Sequence, residues 1–194
     1  TMKISGTFTM NNRTFTTPTY IIPATGGIWL NNPNYTVSAT ASAAATSNNG
    51  LFRVTQGTYN IGIGAADQMR GGTGAFFTIE GGTVNVSGAF DPQNAVTYNQ
   101  SGGTVNVGLV GNTVSAFGTF ELFSTASSFI MSGGTINVVN PSTGTTKVDV
   151  QIRSPLANQS ITGGQVVLGA GAAPASSTYN VVALLPSFTI NPTM

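Results

Sequence analysis

Apolar and polar residues alternate in short runs that recur along the chain. The plainest run, Gly-Thr-Val-Asn-Val, stands at 82–86 and again at 103–107, with near-copies at 57–61, 134–138 and 164–168. Counted from the opening glycines Gly57, Gly82, Gly103, Gly134 and Gly164, the copies lie 25, 21, 31 and 30 residues apart. A recurrence of about 20–50 residues marks an array of like units. Two positions after each glycine stand Tyr59, Val84, Val105, Ile136 and Val166, and four after it Ile61, Val86, Val107, Val138 and Leu168. All are apolar, and most are β-branched or aromatic, which suits a pleated, half-buried strand. Between them fall Thr58, Thr83, Thr104, Thr135 and Gln165, then Asn60, Asn85, Asn106, Asn137 and Val167. Successive strand side chains point to opposite faces. The apolar pair is therefore predicted to face a core, and the Thr-x-Asn pair the water.

A second strand is predicted to lead into each glycine. Phe52, Phe77, Tyr98, Phe129 and Gln159 stand five residues upstream, and Val54, Ile79, Gln100, Met131 and Ile161 three upstream. The Gly-Gly pairs at 81–82, 102–103, 133–134 and 163–164 allow the positive φ of a sharp turn between the two runs. A third strand is visible at Thr119–Phe123 and at 147–153, where Val148, Val150 and Ile152 alternate with polar residues. No helical periodicity is present. The Ala/Ser stretch 39–47 lacks an apolar stripe and ends in Asn48-Asn49-Gly50, a turn signal, so it reads as a loop. Together these features predict an all-β, right-handed parallel β-helix solenoid of about seven coils, three short strands to each.

Composition narrows the class. Of 194 residues only 6% are charged while 40% are hydrophobic, far from the roughly 25% charged residues of ordinary domains. Aromatic and β-branched residues are too frequent for disorder. Thr, Asn and Ser then cover the outside in place of Lys and Glu. The six cations are scattered and the net charge is +1, so no basic stripe points to nucleic acid. No run of about 18 apolar residues predicts a membrane span. Residues 1–194 read as a single segment of a longer chain: Ile4 and Phe8 already alternate as in a strand, and Tyr179 to Ile190 begins another unit. Further coils of the same chain, or a partner, are expected to cover the ends, where open edges invite pairing.

The chemistry is sparse. Histidine and cysteine are absent, which excludes a Ser-His-Asp triad, histidine-based zinc sites and thiolate chemistry. No metal or cofactor is expected. The five carboxylates are Asp67, Glu80, Asp91, Glu121 and Asp149. A glycosidase would need two of them about 5–10 Å apart, and Glu80 beside Asp91 or Glu121 is the arrangement to look for. Solvated or turn-capping acids are the plainer expectation. Asp149, flanked by Lys147 and Arg153, suggests cross-strand charge pairing on an outer face. Gly71-Gly72-Thr73-Gly74-Ala75-Phe76 places Phe where a calcium β-roll carries its ligand Asp. Sequons at Asn12, Asn34, Asn85, Asn99 and Asn158 are what composition alone yields, and Asn85 falls inside a strand.

The candidate ligand surface is the Thr-x-Asn array: Thr58, Asn60, Thr83, Asn85, Thr104, Asn106, Thr135 and Asn137. Stacked at about 4.8 Å per strand, these would form a regular grid able to meet a polysaccharide or ice. Such rows also simply solubilise and stabilise an outer sheet, and that reading carries more weight. Trp29, in Gly26-Gly27-Ile28-Trp29-Leu30, is the best single candidate for stacking on a sugar.

The runs Tyr98-Asn99-Gln100-Ser101-Gly102-Gly103-Thr104-Val105-Asn106-Val107 and Phe129-Ile130-Met131-Ser132-Gly133-Gly134-Thr135-Ile136-Asn137-Val138 resemble the pectate-lyase-like parallel β-helix repeats of large bacterial surface proteins. In style, with Tyr179-Asn180-Val181 and Phe188-Thr189-Ile190-Asn191, the chain is most similar to Bacteroidetes proteins exported by the type IX system. The resemblance implies a secreted, cell-surface setting and contact with that secretion machinery. The clustered acids and the Asn-Thr-Asp or Asp-Asp motifs of the enzymes in that superfamily do not appear here. The expected function is a non-catalytic structural or adhesive segment; a carbohydrate-binding or carbohydrate-active domain, and ice binding through the Thr-x-Asn face, are the alternatives.

Overall fold

The computed structural model describes residues 2–5, 12–15, 19–39, 45–114, 117–143, 148–170, 178–183 and 188–190. In chain order the first strands are β1 (Met2–Ser5), β2 (Asn12–Phe15), β3 (Thr19–Ile22), β4 (Gly27–Ala39), β5 (Ala45–Asn48) and β6 (Leu51–Ile61). Next come β7 (Gln68–Gly71), β8 (Ala75–Ile79), β9 (Thr83–Val86), β10 (Ala89–Phe90), β11 (Val96–Gln100) and β12 (Thr104–Val107). The last are β13 (Phe120–Leu122), β14 (Ser128–Val138), β15 (Val150–Ile152), β16 (Gln159–Leu168), β17 (Val181–Val182) and β18 (Phe188–Ile190). A single 3-10 turn, Leu156–Asn158, interrupts them. Among the described residues no helix is long and apolar enough to cross a membrane, which says nothing of strands.

Every strand pairing is parallel, and the strands form two sheets, one of eleven strands and one of seven. The all-β class is as the alternation predicts. The β-helix solenoid of about seven coils with three strands each is not what forms. Strand β6 pairs with β8 through Leu51–Val54 and with β9 through Thr58–Ile61. Strand β14 likewise joins β11 and β12. With the β8–β11 and β9–β12 pairings, the circuit β6–β8–β11–β14–β12–β9 closes into a six-strand parallel barrel, and the seven-stranded sheet stands apart from it.

The physical reason lies at the glycines. Gly57, Gly134 and Gly164 have φ of 86°, 80° and 87°, yet they sit inside β6, β14 and β16. The register shifts at each bend, and the strand pairs again with its neighbours on both sides of it. Two runs that read as separate strands thus stay in one sheet. The first glycine of each pair serves a second need. A Cβ on Gly102 would lie 2.5 Å from the Glu80 carbonyl oxygen, and one on Gly133 would lie 2.4 Å from that of Ser101. The bends pack backbone on backbone, which excludes any side chain.

The apolar positions are enclosed as predicted. Tyr59, Val84, Val105 and Ile136 pair in one row and Ile61, Val86, Val107 and Val138 in the next, each at most 1% exposed. The upstream row Phe52, Phe77, Tyr98 and Phe129 is fully buried. Facing it from the seven-stranded sheet are Met69, Phe90, Phe120 and Val150, also in register. Phe90 stacks on Phe120 at 5.1 Å between centroids and meets Phe77 edge-on at 4.9 Å. Such contacts contribute about 0.5–1.5 kcal/mol each beyond area burial. Gln100, the polar intruder in the Val54–Ile79–Met131 row, is fully enclosed. It accepts from the Tyr98 hydroxyl at 2.7 Å and its amide donates to the Gly102 carbonyl at 3.2 Å. Paired in this way, it fits an apolar row at little cost.

Of the strands the pattern missed, β2 and β4 belong to the eleven-stranded sheet and the others to the seven-stranded one. β5 (Ala45–Asn48) falls in the stretch read as a loop, whose residues 40–44 lie outside those described. β7 was also unsignalled, having no glycine-led alternation, as was β10, which has only two residues. Lys147, Phe8, 184–187 and Asn191 are likewise outside the described residues. Backbone pairing at the chain's beginning and end agrees with the strand reading: Ile4 lies opposite Leu30, and Ile190 opposite Leu168.

Candidate functional site

The Thr-x-Asn positions come together. Thr36, Thr58, Thr83, Thr104 and Thr135 occupy one register row, and Ser38, Asn60, Asn85, Asn106 and Asn137 the row beside it. All are half-buried. The Asn row is a continuous hydrogen-bonded ladder. Asn137 Nδ2 donates to Asn106 Oδ1 at 2.7 Å, Asn106 Nδ2 to Asn85 Oδ1 at 2.7 Å, and Asn85 Nδ2 to Asn60 Oδ1 at 2.8 Å. Asn60 Nδ2 ends the run on Ser38 Oγ at 3.2 Å. All four bonds run in the same direction, so the amide dipoles align. At the other end Val167 stands opposite Asn137 and cannot donate. The Thr row ends at Gln165, whose Nε2 donates to Thr135 Oγ1 at 3.1 Å.

Trp29 is not the open sugar platform its position suggested. Lys3 and Arg53, opposite it on the two flanking strands, lie over the indole at 4.1 and 4.4 Å from a ring centroid. The indole Nε1 donates to Thr55 Oγ1 at 3.0 Å. Arg53 then grips Glu80 through Nε and a terminal nitrogen, at 2.6 and 3.0 Å. The row Lys3–Trp29–Arg53–Glu80 is a chain of cation–π and ionic contacts that occupies the ring faces a sugar would need.

The acids are placed differently from expectation. Glu80 is on the far sheet with Arg53, and does not approach Asp91 or Glu121. Asp67, Asp91, Glu121 and Asp149 are each no more than 1% exposed. Asp67 caps a turn, accepting from the Ile63 and Gly64 amides at 2.7 and 2.8 Å. Asp149 is no outer-face partner of Arg153; it accepts from the Ser142 and Asn180 amides at 2.5 and 2.9 Å. Both therefore hold backbone in place.

Asp91 and Glu121 form the one close carboxylate pair. They follow Phe90 and Phe120, which are register partners, so they stand side by side on the outer face of the seven-stranded sheet. Glu121 accepts from the Gly118 amide at 2.6 Å, and Arg153 lies 3.6 Å away while covering the Phe123 ring. Burial pushes the Glu121 carboxyl up, against the opposing pull of that amide and of Arg153. Neither oxygen of Asp91 has a hydrogen-bonding partner of good geometry. Burial pushes its carboxyl up to about 8, with Glu121 adding to the rise and Arg70 and Gln93 opposing it. Both acids are enclosed. The sequence carries a faint signal of this row: a large apolar residue precedes Arg70, Asp91 and Glu121 alike. Gly88 and Gly118 stand two residues before Phe90 and Phe120, but no glycine precedes Met69 in the same way, so the alignment of all three strands was not legible.

Among the described residues no group of three or more acids is placed to hold a metal ion. Comparison of the chain with family models, with curated proteins and with solved structures gives no match.

Proposed function

We propose that this chain is a non-catalytic structural element of a secreted, cell-surface protein, adhesive through its outer face. The observation that carries the reading is the fate of its reactive groups. Four acids are enclosed, three of them bound to backbone amides. The fifth is locked to Arg53, and the asparagines are bonded to one another. Side chains spent on cross-strand ladders stiffen a sheet and leave little to act on a substrate. The resemblance to surface-protein repeats supports the secreted setting, and a chain without cysteine is compatible with it. The test is localisation in the source cell together with activity and binding screens. Protein on the cell surface, with no turnover on polysaccharides, is expected; a cytoplasmic location or hydrolysis would overturn the proposal.

The five-threonine row supports a second reading, contact with a periodic solid such as an insoluble polysaccharide or ice. Replacing Thr83 and Thr104 by Tyr would break that row at its centre. Co-sedimentation with polysaccharide and thermal hysteresis should then fall at least several-fold. No binding or hysteresis by the unaltered protein would end this reading.

A further inference from the structure

Arg70 lines a cleft of about 200 Å³ on the outer side of the seven-stranded sheet, with Ser47, Asn49, Gly72, Gln93 and Asn94 around it. That volume is below the roughly 300–1,000 Å³ of sites for drug-sized molecules, so a ligand here is small. Apart from glycine, the wall consists of hydroxyl, carboxamide and guanidinium groups. A Cβ on Gly72 would lie 2.2 Å from Asn49 Oδ1, so a side chain there would displace the Asn49 carboxamide. Asn94 is held in place by its Nδ2, which donates to the Gly71 carbonyl at 3.0 Å.

The cations differ in what compensates them. Arg53 is paired with Glu80, and Arg153 lies by Glu121. Arg70 is exposed, and its Nε donates to the neutral Gln68 Oε1 at 2.5 Å. That leaves its two terminal nitrogens for another acceptor. No carboxylate among the described residues lies within ion-pair distance of it. The acid next to it across the β7–β10 pair is Asp91, enclosed and with no hydrogen-bonding partner of good geometry. With its carboxyl pushed up to about 8, Asp91 is protonated at neutral pH and does not cancel the guanidinium charge.

We propose that this cleft binds a small carboxylate, held by the terminal nitrogens of Arg70 and surrounded by Asn49, Gln93 and Asn94. A guanidinium fork matches two coplanar oxygens. A phosphate dianion would call for a second cation, and none of the described residues lining the cleft supplies one. The site is independent of the structural reading above.

The test is a titration of the whole chain, followed by NMR on the Arg70 Nε–H and the side-chain amides of Asn49, Gln93 and Asn94. Acetate, inorganic phosphate and chloride are compared at constant ionic strength and pH 6.5. Acetate is expected to give saturable shifts at these groups and to bind more tightly than phosphate or chloride. R70Q should lose the effect, while R53Q keeps it. Q93D, which adds a negative charge at the rim without altering a strand, should weaken acetate at least tenfold and serves if R70Q misfolds. At pH 9.5 the unaltered protein should bind several-fold more weakly, and D91N should show no such loss. Linear shifts, equal response to the three anions, or undiminished binding by R70Q or Q93D would each overturn the proposal.

Discussion

Asn106 uses both ends of its carboxamide, donating to Asn85 and accepting from Asn137. Truncating it removes two hydrogen bonds and leaves a donor and an acceptor unpaired in a half-buried row. Such losses cost about 1–3 kcal/mol, so N106A should unfold at lower urea concentration by that margin. T104A, in the neighbouring row, should cost less than 1 kcal/mol, as substitutions away from such features usually do within about 0.5 kcal/mol. Equal effects from the two would mean that the ladder contributes nothing of its own. The Thr-x-Asn spacing was legible because a two-residue alternation leaves little freedom about which face each side chain takes. The direction of the ladder was not, since it depends on rotamers that the neighbouring strand sets. Nor was the flanking of Trp29 by cations, since its partners Lys3 and Arg53 lie 26 and 24 residues away by subtraction of their numbers.

At the scale of the element, the ladder stops at β16 because Val167 occupies the Asn position. Val167→Asn offers a donor to Asn137 at a half-buried site. A cross-strand hydrogen-bonded pair of this kind contributes about 0.2–1 kcal/mol. V167N is expected to raise the unfolding midpoint slightly, and a fall would mean that β16 does not hold its register in solution. Strand existence in the glycine-led repeats followed from alternation alone. The extent of β6, β14 and β16 did not, because a glycine at positive φ signals a turn in sequence. Only the hydrogen bonds kept on both sides of Gly57, Gly134 and Gly164 make it a bend within a strand. β5 and β7 lack the glycine-led alternation that marks the equally short β9 and β12, and β10 has only two residues.

For the whole molecule, the buried Asp91 couples stability to pH. Its carboxyl is held near 8 in the folded chain against an ordinary 3.8, so between those values the folded state retains a proton that the unfolded chain has released. The stabilising effect is complete below about pH 4 and is lost as pH rises toward 8, with a slope of at most about 1.4 kcal/mol per pH unit for one proton. Burial raises Glu121 as well, which acts in the same direction. The melting temperature should therefore be higher at pH 5 than at pH 8, and D91N should flatten the difference. A melting temperature that rises with pH over that range would show Asp91 to be ionised in the folded state. Nothing in the sequence marks Asp91 as buried: its strand is two residues long, and what encloses it comes from distant parts of the chain.

The amino-acid order alone determined which residues of the glycine-led repeats are inside. A period of two, repeated behind each glycine, leaves a strand only one way to hide Val84, Val105 and Ile136, and those residues share one sheet as their alignment demands. It also excluded histidine and thiol chemistry outright. How the strands close on one another was decided only in three dimensions. Carbonyls pack equally closely on the glycine pairs that end a strand and on those that bend one, so the difference lies in the pairing on either side, and the barrel circuit depends on single strands pairing with two neighbours at once. Those are contacts between residues far apart in the chain, and a local pattern holds no information about them.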